Sequence, residues 1–175
     1  MHILILGGTQ FVGRSIAEAL RQAGHRLTLF TRGHTNPDLF PDAEHLTGDR
    51  NGDLAALRGR SFDACVDVSG FTLKQLERST DLLRGQVSRY LFISSISAYA
   101  VPVAPDFDES ATLESLDDPY AELTPRTYGG LKVVCERQVQ GAFGAQATVF
   151  RLGLVNGPWD HTDRATYWSV RAGEP

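Results

Sequence analysis

The first thirteen residues constrain this chain more than any other segment: His2 to Leu6 is a run of β-forming, mostly aliphatic residues that passes directly into Gly7-Gly8-Thr9-Gln10-Phe11-Val12-Gly13. A continuous apolar run is the signature of a parallel strand buried on both faces. After the glycines, Val12, Ile16, Ala19, Leu20 and Ala23 recur at helical spacing and the pattern stops at Gly24. Strand, tight turn and helix therefore follow one another. In such a unit Gly7 allows the turn and small residues let backbone N–H groups approach a pyrophosphate. Gly13 lets the helix pack on the strand, and the helix N-terminus stabilises the anion. The spacing here is G-x-x-x-x-x-G, with Gln10 where a middle glycine is common, and an ordinary strand-to-helix turn also accounts for glycines of this kind.

The remaining segments repeat the alternation. Strands are expected at Arg26 to Thr31, Ala43 to Thr47, Phe62 to Val68, Arg89 to Ile93 and Ala147 to Val155. Between them lie a short helix, Asp53 to Arg58, and longer helices at Thr72 to Leu83 and Pro125 to Phe143. Thr124 is placed to cap the last of these, with Pro125 at its first position. Strands alternating with helices predict an α/β fold, a Rossmann-type doubly wound parallel sheet with helices on both faces and right-handed crossovers. The stretch from Ala100 to Leu123 reads as an extended loop, of the length usually reserved for binding or closure.

With 175 residues, 42% hydrophobic and 22% charged, the chain suits one globular domain over 1–175. Its N-terminus lacks a basic region, and no apolar run approaches the roughly 18–20 residues of a membrane span, so a soluble, cytoplasmic protein without membrane partners is expected. A formal charge of −4 argues against a dedicated nucleic-acid binder. Cys65 and Cys135 are isolated, without metal-ligand spacing, and read as reduced core residues.

Cations are strongly skewed, with fifteen arginines against two lysines, Lys74 and Lys132. Where arginine is the default, a lysine is marked out for its compact ammonium. Tyr128 and Lys132 are four residues apart and share one helical face. An ammonium about 4 Å from a phenolate contributes roughly 4 kcal/mol at an effective dielectric of 20, enough to lower a phenol's pKa by about 3 at most. The pair is thus a candidate acid–base catalyst; a surface Tyr beside a solvated Lys is the plainer explanation. Gly129-Gly130 inside the helix costs about 1 kcal/mol per glycine relative to alanine, which suggests a close approach to the backbone there. Ser94, Ser95 and Ser97 end the fifth strand, where open parallel sheets bind ligands, although serines also form turns at such places. Asp160, His161 and Asp163 lack the spacing of a metal site, and no metal is expected. Trp159 and Trp168 are candidates for a pocket wall or for core packing.

Taken together, Gly7-Gly-Thr-Gln-Phe-Val-Gly-Arg14, Gly48-Asp49, Ser94-Ser95 before Tyr99, Tyr128-x-x-x-Lys132 and Arg151-x-Gly-x-x-x-Gly157-Pro158 stand in a telling order. Over nearly its whole length the chain resembles the extended short-chain dehydrogenase/reductase family, the NAD-dependent epimerase/dehydratase group, and especially atypical members with a polar residue at the middle glycine. The resemblance implies Tyr128 as the acid–base residue, Lys132 lowering its pKa and holding the nicotinamide ribose, and Ser95 on the substrate oxygen. It places Gly7, Thr9, Gln10, Phe11, Val12 and Gly13 on the pyrophosphate and Asp49 on the adenine. The implied function is an NAD(P)-dependent oxidoreductase or epimerase/dehydratase acting on a sugar nucleotide or other small hydroxy or carbonyl compound; a non-catalytic dinucleotide-binding sensor or RNA-associated module is the alternative. Arg32 ends the second strand with no carboxylate before Asp38, which favours NADP over NAD, with Arg14 and Arg50 as other candidates for a 2′-phosphate. The two long helices resemble those that pair in family dimers, and Leu76, Leu83, Val134 and Val139 are expected to leave an apolar stripe for a homodimer. Family members continue beyond the sixth strand, so the resemblance implies the cofactor-binding part of a longer chain.

Overall fold

The computed structural model describes residues 1–162 and 164–173. Its elements are β1 (His2–Leu6), α1 (Phe11–Gln22), β2 (Arg26–Thr31), β3 (Glu44–Thr47), β4 (Ala64–Asp67), α2 (Leu73–Leu83), β5 (Tyr90–Ser95), α3 (Tyr128–Phe143), β6 (Ala147–Leu152) and α4 (Arg164–Gly173). Single 3₁₀ turns occupy Ala55–Leu57, Ile96–Ala98 and Gly144–Gln146. Every strand pairing is parallel, and the order across the sheet is β3-β2-β1-β4-β5-β6.

The period-two geometry of strands divides the core cleanly. Ile3 and Ile5 of β1 face α1 in a cluster with Ala17, Leu27, Leu29 and Val66. Leu4 and Leu6 face the opposite way, into a larger cluster with Leu76 and Leu83 of α2 and Cys135 and Val139 of α3. Helices therefore cover both faces, and β1 is buried on both, as its unbroken apolar run requires. Both cysteines are free and buried. Burial raises the Cys135 thiol to about 12 and the Cys65 thiol well above its ordinary value.

Several expected boundaries shift. The third long helix begins at Tyr128 rather than Pro125, because Thr124 to Thr127 form a separate turn. In that turn Thr124 Oγ1 accepts from the Thr127 amide at 3.2 Å, and the Thr124 carbonyl accepts from the Tyr128 amide at 3.0 Å. β6 stops at Leu152, and residues 153–155 turn towards the strand ends instead. The Ala100 to Leu123 segment is not unpaired throughout: Tyr99 bridges Leu113 in antiparallel fashion, flanked by bonds from Ala100 to Thr112 and from Glu114 to Ala98.

Three of the four residues of the apolar stripe expected to face a second subunit are consumed internally, and Val134 is half-buried. Leu76, Leu83 and Val139 are each fully buried in the chain's own core, so they offer nothing to a partner. Among the described residues no helix is long and apolar enough to cross a membrane.

Candidate functional site

The loops that follow β1, β2, β3, β4 and β5 meet at the carboxyl ends of the strands. A cleft of about 930 Å³ runs across this edge. Its walls are the Gly7 to Gly13 loop after β1, Thr31 to Thr35 after β2, Gly48 to Asn51 after β3, Val68 and Ser69 after β4, and Ser94 to Ser97 after β5, with Tyr128 from α3. The strand order reverses between β1 and β4, and this is where an open α/β sheet leaves a crevice.

The glycine loop is shaped for a ligand that comes close to backbone. Gly7 and Gly8 have φ of +107° and +102°. A Cβ on Gly13 would lie 2.9 Å from the Gly8 nitrogen and from Val68 Cγ2, so α1 packs against this turn without room for a side chain. Gln10 stands at the N-cap of α1 but makes no side-chain cap bond, and the first turn holds no acidic residue. A helix N-terminus whose N-cap side chain makes no cap bond and whose first turn holds no carboxylate suits an anionic group. A dinucleotide's diphosphate fits this cradle, with Gly7, Thr9, Gln10, Phe11, Val12 and Gly13 as its wall.

Arg32 lines the cleft and is exposed, whereas Asp38 does not border it. Asp49 Oδ1 accepts from the Asn51 amide at 2.8 Å and from Asn51 Nδ2 at 3.0 Å. These bonds, with help from Arg32, hold its carboxyl below the ordinary range. Two arginines considered for a 2′-phosphate are otherwise engaged. Arg14 stacks over Trp159 at 3.4 Å, outside the cleft wall. Arg50 is buried, and its two terminal nitrogens bind Asp67, Ser69 and Ser79. Burial opposes its charge, but Asp67 outweighs it and the guanidinium is held more firmly protonated. Asp67 also accepts from the buried Tyr90 hydroxyl at 2.7 Å. The sequence signal for this network was a carboxylate inside an apolar strand, Ala64 to Val68.

At the other end of the cleft Ser95 caps the 3₁₀ turn, accepting from the Ser97 amide at 3.1 Å and donating to Ser97 Oγ at 3.2 Å. Ser94 borders the cleft, but its hydroxyl donates to Glu136 in the core. Tyr128 is half-buried and borders both the main cleft and a second cavity of about 460 Å³ beneath the 96–127 segment. That cavity has an apolar wall of Ile96, Tyr99, Val101, Val103 and Phe107.

Lys132 is 2% exposed and lies beneath the cleft floor, not in its wall. Its Nζ donates to the carbonyls of Gly70 at 2.9 Å and Ile93 at 2.7 Å, above the Phe92 ring at 4.2 Å. Desolvation lowers its pKa to about 8. No hydrogen bond joins it to the Tyr128 hydroxyl among the described residues. Gly129 does mark a close backbone approach, but the visitor is the chain itself: a Cβ there would lie 2.1 Å from the Ser97 carbonyl oxygen. Below Tyr128, Glu136 takes Arg151 at 2.7 Å, and Arg151 reaches the Tyr99 hydroxyl at 2.9 Å. Glu136 holds Arg151 more firmly protonated.

Trp159 is exposed, with φ of +70°, and is not a core residue. The Trp168 side chain and Asp163 lie outside the described residues. Among the described residues no three metal-ligating side chains cluster. His161, weighed in the sequence only as a metal ligand, instead borders the cleft and bonds Gln10 at 3.2 Å.

No family model matches the chain. The Arabidopsis thaliana chloroplast stem-loop binding protein of 41 kDa b is 28% identical over 192 residues, covering 99% of this chain and 47% of that protein. A UDP-galactose 4-epimerase structure superposes with a TM-score of 0.77 at 18% identity, over 99% of this chain and 63% of its own. The Bacillus cereus UDP-glucuronic acid 4-epimerase in complex with NAD gives 0.74 at 17% identity, over 96% and 61%. The chain has the parallel, doubly wound fold of these epimerase structures. It spans about half the length of the curated relative it matches and less than two thirds of these epimerases. Within that fold the cleft, the glycine loop and the Tyr128 helix occupy the strand ends that bind ligands in open α/β sheets.

Proposed function

We propose that the chain is the dinucleotide-binding part of an NAD(P)-dependent oxidoreductase or epimerase/dehydratase. The observation that carries this is the convergence of the glycine cradle, Asp49, Ser95 and Tyr128 on one cleft. When bound there, a nicotinamide dinucleotide supplies hydride transfer to or from a substrate carbon. The Gly7 to Gly13 loop holds the diphosphate, Asp49 the adenine amino group, and Arg32 the outer ribose. Arg32, with no cleft carboxylate after β2, favours NADP(H). Tyr128 exchanges a proton with the substrate oxygen while Ser95 orients that oxygen. Lys132 holds the Gly70 and Ile93 carbonyls together beneath the cleft and keeps its positive charge under the nicotinamide end. The substrate is a small hydroxy or carbonyl compound, a sugar nucleotide being one class, whose body enters the cavity beside Tyr128.

Fluorescence titration with NADPH and NADH tests the cofactor assignment: binding is expected, tighter for NADPH, and Arg32→Asp is expected to reverse the order. Equal affinities remove the NADP argument, and no binding of either removes the assignment. In a chain with full turnover, Tyr128→Phe is expected to abolish nearly all activity while leaving dinucleotide affinity within about twofold.

A second reading has one specific observation behind it, the match along almost the whole chain to a protein named for binding a stem-loop. On that reading the cleft binds dinucleotide without chemistry and an outer face binds RNA. Gel-shift titration with a stem-loop RNA at two salt concentrations separates the two, since phosphate contacts weaken steeply with salt.

A further inference from the structure

Three features left over from the sequence meet at one point in the structure. Gln10 stands where a middle glycine is usual, His161 belongs to no metal site, and Trp159 is exposed. After β6 the chain makes a strap, residues 157–162, that returns across the carboxyl edge of the sheet to the start of α1. Trp159 lies flat on Arg14, in the first turn of α1, at 3.4 Å. The Gln10 amide nitrogen bonds His161 Nδ1 at 3.2 Å, joining residues 151 positions apart. The strap holds its own shape, because Asp160 Oδ1 accepts from the amide of Thr162 at 3.0 Å.

We propose that His161 joins the Gln10 side chain as a ligand of the dinucleotide's diphosphate. This rests on the dinucleotide assignment above. Both residues border the cleft at the glycine cradle. Gln10 stands at the N-cap of α1 but its side chain makes no cap bond, so its amide is committed to the strap and not to the helix. With the amide donating to Nδ1, the neutral imidazole carries its proton on Nε2 and keeps one N–H donor for a phosphate oxygen. Entry of a diphosphate exchanges the Gln10–His161 bond for two bonds to phosphate oxygens. The Trp159–Arg14 stack keeps the strap at the mouth of the cradle during that exchange. A glycine at position 10 supplies only backbone donors; glutamine adds a side-chain donor and also recruits the strap. Both side chains are exposed, so their replacement leaves the core intact.

The test is calorimetric titration of the chain and of Gln10→Gly, His161→Ala and His161→Gln with two probes, ADP-ribose, which carries the diphosphate, and adenosine, which does not. Gln10→Gly and His161→Ala are each expected to weaken ADP-ribose by about tenfold, the scale of one hydrogen bond to a charged group, with adenosine affinity changed less than about twofold. His161→Gln, which retains an N–H donor, is expected to recover most of the loss. Unchanged ADP-ribose affinity in both glycine and alanine variants overturns the proposal, and so does an equal loss for the two probes, which would place the effect on the fold of the cleft. If the unsubstituted chain binds neither ADP-ribose nor NADH, the dinucleotide assignment itself fails and the proposal falls with it.

Discussion

Two buried ion pairs underlie the two ends of the cleft, and they are built differently. Beneath the glycine cradle, Arg50 and Asp67 are 7% and 0% exposed, and their further side-chain bonds go to Tyr90 of β5, Ser79 of α2 and Ser69 in the turn after β4, while Arg50 Nε is left without a hydrogen-bond partner. Beneath Tyr128, Glu136 and Arg151 are 2% and 15% exposed, and Arg151 extends outward to Tyr99 and the Glu109 carbonyl. The first pair closes on the sheet and its covering helix, whereas the second ties the sheet to the 96–127 segment. A closed pair fixes a frame; an open one fixes the position of a wall. The cradle end therefore depends on core integrity, and the Tyr128 end on a tether that can be cut with less damage.

That difference can be broken experimentally. Removing one partner of the closed pair, by Arg50→Met or Asp67→Asn, is expected to cost about 3–5 kcal/mol in urea unfolding because a buried charge loses its counter-ion. The double variant Arg50→Met/Asp67→Leu is expected to recover much of that loss, and single-variant losses under about 1 kcal/mol would show that the pair is not a frame.

Lys132 sharpens the comparison, since it lies buried between the two ends. Its folded pKa of about 8 is below the ordinary 10.5, so between these values the folded chain binds fewer protons than the unfolded one. Stability is therefore expected to rise with pH across this window, by about 3 kcal/mol at most, and to show the full cost of the buried ammonium below pH 8. Lys132→Met is expected to lose that rise relative to the unsubstituted chain, as measured by denaturation at pH 7.5 and pH 10.

The open pair gives the smallest effect. Arg151→Met is expected to cost about 2 kcal/mol, less than the closed pair because Arg151 is partly solvated. It is also expected to expose the 96–127 segment to limited proteolysis while ADP-ribose affinity stays within about twofold. Faster proteolysis at 96–127 with weakened ADP-ribose binding would show that the two ends are not separable.

The sequence alone determined the alternation of strands and helices and hence the doubly wound class, because apolar runs and helical periodicity are local signals. β1 and β2 have the expected bounds for the same reason. It also brought forward the glycine loop, Asp49, Ser95 and Tyr128, since each belongs to a short motif at a strand end. Only the tertiary structure decided what the isolated charges do. Arg50 reads in the sequence as a candidate for a cofactor's 2′-phosphate, and becomes a buried frame residue only because β4 carries Asp67 to it. Leu76, Leu83 and Val139 look available to a second subunit until the packing of α2 and α3 on the sheet consumes them. His161 has no local partner of its own kind, and it finds its place at the cleft through a bond to Gln10, at the opposite end of the chain. Local periodicity records which face of an element is apolar, whereas the partner of a polar side chain depends on which distant elements the sheet order brings together.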